Sequence, residues 1–182
     1  MKVLQRSQYM SHLNLTKSLL AFSLLGTITA CSSESTVIGN VKVSNVVTSD
    51  CKTSVSKKDT RPEYLTDFYS TKTTLSMLMG NDNTVTAQFL DVMDNCTIGQ
   101  LNVDITCVEN KIIIILYPDR DMLTDCVCLY DVNFKIRDLF PGNYQLEIFQ
   151  TTTNKQTNSS NRIYHGTVTL DSNKIVRLAM TR

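Results

Sequence analysis

The stretch "CVCLYDVNFKIRDLFPGNYQLEIF", residues 126–149, decides the fold of this chain. Its first half places one set of side chains at alternate positions: Cys126, Cys128, Tyr130, Val132, Phe134 and Ile136. From Asp131 onward the residues between them are polar, and a period of two puts the two sets on opposite faces of a strand. Pro141-Gly142 then interrupts the chain before a second alternating segment with Tyr144, Leu146 and Ile148. The stretch predicts two consecutive strands, each with one face toward a core.

Similar segments lie on both sides of this stretch. They occupy residues 37–47 (Val37, Val41, Val43 and Val47 on one face), 73–80, 84–93, 100–107, 111–117, 163–170 and 174–180. Glu109-Asn110 is suited to a hairpin turn. The segment "KIIIILY" (111–117) is apolar on both faces, as expected of a central strand or of a strand covered by a loop. Residues 49–64, with Pro62, predict a loop, and no segment after residue 30 keeps a helical period over three turns. We therefore expect an all-β, antiparallel sandwich of about eight strands.

One short motif narrows this class. Residues 139–144, "LFPGNY", resemble the LxPGxY tyrosine corner of immunoglobulin-like, fibronectin-like and transthyretin-like sandwiches. The resemblance implies that the hydroxyl of Tyr144 binds backbone a few residues upstream. It favours an immunoglobulin-like or transthyretin-like sandwich without choosing a topology.

The cysteines raise the question of chemistry. Cys107, Cys126 and Cys128 share the apolar face of their strands, so we expect their sulfurs to point inward. Residues two apart in a strand have Cα atoms about 6.6–6.8 Å apart, at the limit for a disulfide. Bonds from Cys126 and Cys128 to neighbouring elements are therefore easier, with Cys96 and Cys107 as the expected partners. The connectivity and the state of Cys51 stay open.

Two chemical alternatives use the same cysteines. Cys96, Cys107, Cys126 and Cys128 could hold zinc, but they lack the CxxC spacing that usually presents two thiolates together. A thiol-redox role for Cys126 and Cys128 requires an exposed thiolate of lowered pKa, whereas the nearest charges are acidic. We expect a structural role for these cysteines, as disulfides or as buried thiols that stay reduced, with no metal and no cofactor.

The N-terminus is typical of an exported protein. Residues 1–17 contain three basic and no acidic residues, and the apolar run "SLLAFSLLGTITA" ends before Cys31. Ile28-Thr29-Ala30-Cys31 resembles the lipobox of bacterial lipoproteins. The resemblance implies a signal peptide of residues 1–30, acylation of Cys31 and a lipid anchor in the membrane, with Ser32 favouring the outer membrane. Residues 31–182 are then one sandwich domain, with 31–36 as a short tether.

Composition excludes several functions. The chain has 18 Lys and Arg against 17 Asp and Glu, and loss of residues 1–30 would leave it slightly acidic, so no basic patch argues for nucleic acid. His165 is the single histidine after residue 30, which excludes a His-rich zinc site. We expect His165 to be solvated. The acidic residues of "YPDRDM" (117–122) and of "LDVMDNC" (90–96) read as ordinary connections. Tyr64, Phe68 and Tyr69 read as a cover over one end of the sandwich.

The combined cysteine pattern resembles a family. The lipobox, "DNC" at 94–96, Cys107 and "CVCLYDVNFKI" at 126–136 resemble lipoproteins of the Bacteroidota with an NC…C…CxCxYDVxFxI pattern. The resemblance implies a secreted β-sandwich without catalytic residues. We expect a non-enzymatic binding or structural lipoprotein at the outer membrane or cell surface, with envelope proteins or surface ligands as partners. Residues 52–72, 118–124 and 150–162 are the expected contact loops. The alternative is an envelope thiol-redox or metal-binding protein that uses Cys126 and Cys128.

Overall fold

The two alternating segments of residues 126–149 form two long strands that lie in different sheets. A computed structural model of the chain describes residues 41–56, 62–121 and 124–181. The predicted signal peptide, Cys31 and the tether 31–36 lie outside the described residues, as does Val37. No helix in the part of the chain that the structure describes is long and apolar enough to cross a membrane.

The described residues form ten strands and one short helix. In chain order they are β1 (Lys42–Thr48), β2 (Thr53–Ser56), α1 (Pro62–Ser70), β3 (Thr74–Met79), β4 (Val85–Asn95), β5 (Leu101–Val108), β6 (Lys111–Pro118), β7 (Cys126–Arg137), β8 (Gly142–Gln150), β9 (Arg162–Leu170) and β10 (Ile175–Ala179). Strands β1, β7, β4, β3 and β10 form one sheet in that order, and β2 pairs with the same edge of β7 as β1. Strands β5, β6, β8 and β9 form a four-stranded sheet.

One hydrophobic core joins the inner faces of the two sheets. The six-stranded sheet contributes the alternate residues of β7 from Cys128 to Ile136, together with Leu75, Met77 and Phe89, and the four-stranded sheet contributes Leu101, Ile114, Leu116, Leu146 and Ile148. The prediction of a β-rich protein with two sheets and alternating buried faces is confirmed, but the protein is not all-β, because it also contains helix α1. Of the two expectations for β6, the structure shows the central strand, because β6 lies between β5 and β8.

The sandwich is not purely antiparallel. Strands β6 and β8 are parallel, with Ile114 opposite Ile148, and all other pairs of named strands are antiparallel among the described residues. Parallel neighbours need a crossover between them. Here the crossover is β7, which passes through the opposite sheet. The number of strands is ten, not eight.

The predicted loop at 49–64 contains regular structure. It includes β2 and the start of α1. Pro62, which was expected to break the chain, occupies the first position of the helix, where its missing N–H is not needed. Phe68 of α1 packs with Val55 and Leu129 on the outer face of the six-stranded sheet. The prediction that Phe68 covers an end of the sandwich is therefore wrong. Tyr69 is exposed, and the side chain of Tyr64 lies outside the described residues.

A bulge overturns the predicted face of β1. Asn45 has a φ of 55°, and the register between β1 and β7 shifts between Ser44 and Val47. The extra residue reverses the alternation. Val46 packs against the core, whereas Val47, predicted to face inward, is exposed.

Candidate functional site

Both cysteines of "CVC" are engaged in disulfides with other elements. Cys128 is bonded to Cys51, with Cα atoms 5.7 Å apart, and Cys126 is bonded to Cys96, with Cα atoms 5.4 Å apart. Among the described residues, Cys107 is the free cysteine. The expected pairing of Cys107 with this motif is wrong.

Strand register explains the Cys96–Cys126 bond. Asp94 and Asn95 of β4 lie opposite Cys128 and Val127 of β7, so the next pair along the ladder is Cys96 and Cys126. The amide N–H of Cys96 donates to the carbonyl of Cys126 at 3.2 Å. The two cysteines are therefore cross-strand neighbours at the end of the β4–β7 ladder.

The Cys51–Cys128 bond has a different origin. Cys51 lies between β1 and β2, which run along the same edge of β7, and Lys52 N–H donates to the carbonyl of Leu129 at 2.9 Å. Cys128 is fully buried in the core. The bond therefore attaches the segment between β1 and β2 to the neighbouring strand β7.

Cys107 lies too far along its own sheet to reach this motif. It is opposite Ile112 at the start of β6, whereas the motif follows the end of β6. Burial raises the pKa of the Cys107 thiol, which disfavours the reactive thiolate. Among residues 41–56, 62–121 and 124–181, no group of three His, Cys, Asp or Glu side chains is placed to hold a metal ion.

A polar cleft with a volume of about 650 Å³ lies near the end of β4, where Met93 and Asp94 form part of its lining. Its lining comes from the end of β4, the end of β8, the β8–β9 connection and the start of β9. The lining residues are Met93, Asp94, Gln150, Thr151, Thr152, Asn154, Gln156, Asn158, Ser160, Asn161 and Ile163. The predicted contact loop 150–162 therefore forms most of this polar cleft.

The β8–β9 connection is held in one arrangement by its own side chains. Asn158 Oδ1 accepts from the N–H of Ser160 at 2.9 Å, Asn154 Oδ1 accepts from the N–H of Gln156 at 3.0 Å, and Asn161 Nδ2 donates to the Gln156 carbonyl at 2.5 Å. Asn and Asp favour such turns because a short polar side chain can bind nearby backbone. The connection thus has internal order despite its repetitive polar sequence.

The same connection is anchored to the rest of the sandwich. Thr151 N–H donates to the carbonyl of Leu116 at 2.8 Å, and Thr153 binds the Asp121 carboxylate through both its N–H and its hydroxyl. Lys155 forms an ion pair with Asp104 at 2.8 Å, and its Nζ lies 4.2 Å from the centroid of the Tyr117 ring. The rim of the polar cleft is therefore bonded to β5, to β6 and to the loop after β6.

Asp94 is the one carboxylate in the lining of the polar cleft. Its Oδ1 accepts from the N–H of Asn95 at 2.7 Å, and its Oδ2 lies 3.4 Å from Gln150 Nε2, which also donates to the Met93 carbonyl at 2.7 Å. Desolvation raises the pKa of Asp94, and the nearby Asp121 charge adds to this effect. No described cation forms an ion pair with Asp94.

A network around Asn95 fixes the position of Asp94. Asn95 Nδ2 donates to the carbonyl of Thr124 at 3.1 Å, and its Oδ1 accepts from the hydroxyls of Thr97 and Thr124. The hydroxyl of Tyr130 donates to the Asn95 carbonyl at 3.0 Å. Cys96, the next residue, is bonded to Cys126, so the end of β4 is connected to β7 both by this disulfide and by the hydrogen bond from Tyr130.

A second hollow, of about 490 Å³, lies between β1 and β5, but its charged group is already paired. Asp104 accepts from the hydroxyl of Tyr117 at 3.2 Å and from Lys155 Nζ at 2.8 Å. Three valines of residues 41–46 form much of the remaining lining. The polar cleft is therefore the stronger candidate for a binding site.

The remaining predicted residues are not among the lining residues of the polar cleft. His165 is exposed and lies 3.9 Å from Glu147, as expected of a solvated side chain. Asp119 accepts from the N–H of Gly99 at 2.8 Å, which fixes the loop after β6. Tyr144 is buried, and its hydroxyl donates to the carbonyl of Phe140 at 2.9 Å, the contact that a tyrosine corner makes.

Sequence reasoning missed Asp94 and Cys51. Asp91 and Asp94 were expected in a connection, but both lie within β4, where Asp91 (φ 57°) forms a bulge and binds Lys52 at 2.7 Å. The burial of Asp94 depends on Gln150, 56 positions later in the chain. No local pattern could have shown this contact.

Searches of protein-family models, of curated proteins and of solved structures find no match to this chain. The two disulfides indicate an extracytoplasmic location, because reducing systems keep cytosolic thiols unpaired.

Proposed function

We propose that this protein is a non-catalytic binding module, lipid-anchored at the outer membrane or cell surface, and that the polar cleft is its ligand-binding site. The observation that carries the proposal is a half-buried carboxylate without a cation partner among the described residues, in a cleft with a fixed rim. Carboxylates placed in this way are costly for stability and cluster at functional sites.

Two features of the sequence support the anchor. Ile28-Thr29-Ala30-Cys31 resembles a lipobox and follows an apolar run of signal-peptide length. The resemblance of residues 94–149 to Bacteroidota lipoproteins agrees with this placement. The tyrosine-corner contact of Tyr144 supports an immunoglobulin-like or transthyretin-like sandwich as the finer fold class.

Thiol counting tests the anchor. If Cys31 is acylated, the unreduced chain purified from membranes and then denatured contains one reactive thiol, that of Cys107, and the Cys107→Ser variant contains none. A second reactive thiol in the wild-type chain would mean that Cys31 is unmodified.

A plug in the polar cleft tests the binding site. The side chain of Gln156 has no hydrogen-bond partner among the described residues, so Gln156→Trp fills the cleft without removing an internal bond. The matched control is Gln145→Trp, at an exposed position on the strand that leads into the same connection. The measured quantity is the amount of envelope material that is crosslinked to the protein and retained with it. We expect this amount to be at least about tenfold lower for Gln156→Trp than for the control, which corresponds to roughly 1.4 kcal/mol of binding free energy. Equal retention by the two variants would exclude the polar cleft as the binding site.

Metal binding at Cys126 and Cys128 would require free thiolates, and redox exchange would require a disulfide that an attacking thiolate can reach. Both sulfurs lie in disulfides with cysteines of other elements, and Cys128 is fully buried. This alternative therefore carries no second proposal.

A further inference from the structure

The polar cleft offers an unusual set of groups to a ligand. Five carboxamide side chains line it, with several hydroxyls and one carboxylate, and no Lys or Arg side chain is among its lining residues. The carboxamides are Gln150, Asn154, Gln156, Asn158 and Asn161. Each carboxamide can donate and accept hydrogen bonds at once. A wall of this composition complements a ligand whose own groups both donate and accept.

Several of these groups are available for a ligand. Among the described residues, Nδ2 of Asn154, Nδ2 of Asn158 and the carboxamide of Gln156 have no hydrogen-bond partner, although the Oδ1 atoms of both asparagines bind backbone. The turns that these asparagines form thus hold the free donors in place. Fixed donors lose little conformational entropy when a ligand binds.

The charge of the polar cleft excludes one class of ligand. Anions are usually bound by Arg or Lys, and here the single charge of the lining is the carboxylate of Asp94. A negatively charged ligand would meet this carboxylate without compensation. The hydroxyl of a neutral ligand would instead donate to it, in the stronger type of hydrogen bond that one charged partner gives.

Size and apolar content agree with a polyhydroxylated ligand. A volume of about 650 Å³ falls within the ~300–1,000 Å³ typical of small-molecule sites. Met93 and Ile163 are the two large apolar side chains of the lining, enough to contact C–H groups but too few for an apolar ligand.

We infer that the polar cleft binds a neutral oligosaccharide, with hydroxyls of the sugar donating to Asp94 and accepting from Asn154, Gln156 and Asn158. This inference rests on the proposed function and names the ligand class of the same site. It explains why a carboxylate is half-buried in the polar cleft without a cation, since its partner is the ligand.

Binding of the purified full chain to an oligosaccharide array tests the inference. The array carries neutral gluco-, manno-, galacto- and xylo-oligosaccharides beside uronic-acid and sulfated ones, and calorimetry then measures the affinity of each ligand that binds. We expect neutral members to bind. Asp94→Asn should weaken this binding about 10- to 100-fold, the effect of losing hydrogen bonds to a charged group, whereas Asp138→Asn, an exposed control, leaves it unchanged.

Two results would overturn the inference: preference for the acidic members, or no binding to any neutral member. Equal affinity of the Asp94→Asn variant would also contradict the proposed role of the carboxylate. Loss of envelope retention by Gln156→Trp together with no neutral binding would leave the proposed function intact and reject the sugar alone. Unchanged retention by Gln156→Trp would reject both.

Discussion

The two disulfides begin two residues apart on β7 and do different work. The Cys51–Cys128 bond joins residues 77 apart, and Cys128 is buried in the core. It links the segment between β1 and β2 to β7 of the same sheet. The Cys96–Cys126 bond joins residues 30 apart at the end of β4, two positions after Asp94 in the chain. Two cysteines of β7 that lie two residues apart are thus bonded to different parts of the chain, one to the segment between β1 and β2 and the other to the end of β4 near the candidate binding site.

The largest stability loss should follow removal of the Cys51–Cys128 bond. Loop-closure entropy for 77 residues predicts a loss of about 4.5 kcal/mol for Cys51→Ala with Cys128→Ala. Urea titration measures the free energy of unfolding. The folded fraction should retain envelope material about as well as the wild type does. A loss of retention by folded protein would contradict the expectation that only the Cys96–Cys126 bond affects binding.

Removal of the Cys96–Cys126 bond should be less destabilising. A separation of 30 residues predicts a loss of about 3.6 kcal/mol for Cys96→Ala with Cys126→Ala. Retention should fall in this variant under conditions where it is still folded, because the end of β4 then loses one of its ties to β7. If this variant is less stable but retains envelope material as well as the wild type does, the bond contributes to stability and not to binding.

Cys107 forms no disulfide with a described residue, whereas Tyr144 of the same sheet makes a hydrogen bond through its hydroxyl. Tyr144→Phe removes the bond from its hydroxyl to the Phe140 carbonyl and should cost about 1 kcal/mol. The urea midpoint measures this change. A loss as large as that of either disulfide variant would mean that the tyrosine corner holds this part of the sheet more tightly than one hydrogen bond can.

The smallest effect concerns the Asp94 charge. Because desolvation raises the pKa of Asp94 above its ordinary value of 3.8, the folded state is favoured by this group at low pH and loses that advantage as pH rises through the raised value. Asp94→Asn should therefore gain stability relative to the wild type between acidic and neutral pH. Urea titrations at several pH values measure the difference. A gap that narrows as pH rises would contradict the assigned shift.

The sequence predicted the strands better than the features that interrupt them. The alternation in residues 126–136 predicted the buried face of β7 because each inward position there is apolar or cysteine. The bulges at Asn45 and Asp91 were not predicted, because a left-handed residue shifts the alternation without changing the composition. Helix α1 was missed because its nine residues fall short of three turns and begin at a proline.

The candidate site was predicted only in outline. Residues 150–162 were recognised as a contact loop from their polar composition, but their order depends on turns formed by Asn154 and Asn158 and on the distant partners Asp121 and Asp104. Cys51 found its partner only because β1 and β2 share one edge of β7. Contacts between distant segments decide both features.

The decisive experiment for the role of Asp94 in the polar cleft is the retention of envelope material by the Asp94→Asn variant at neutral pH, measured together with its free energy of unfolding and with the Asp138→Asn control. We expect the Asp94→Asn variant to be at least as stable as the wild type but to retain envelope material at least about tenfold less well, while the control retains as much as the wild type. Undiminished retention by a folded Asp94→Asn protein would contradict the assignment of the polar cleft as a binding site that depends on this carboxylate.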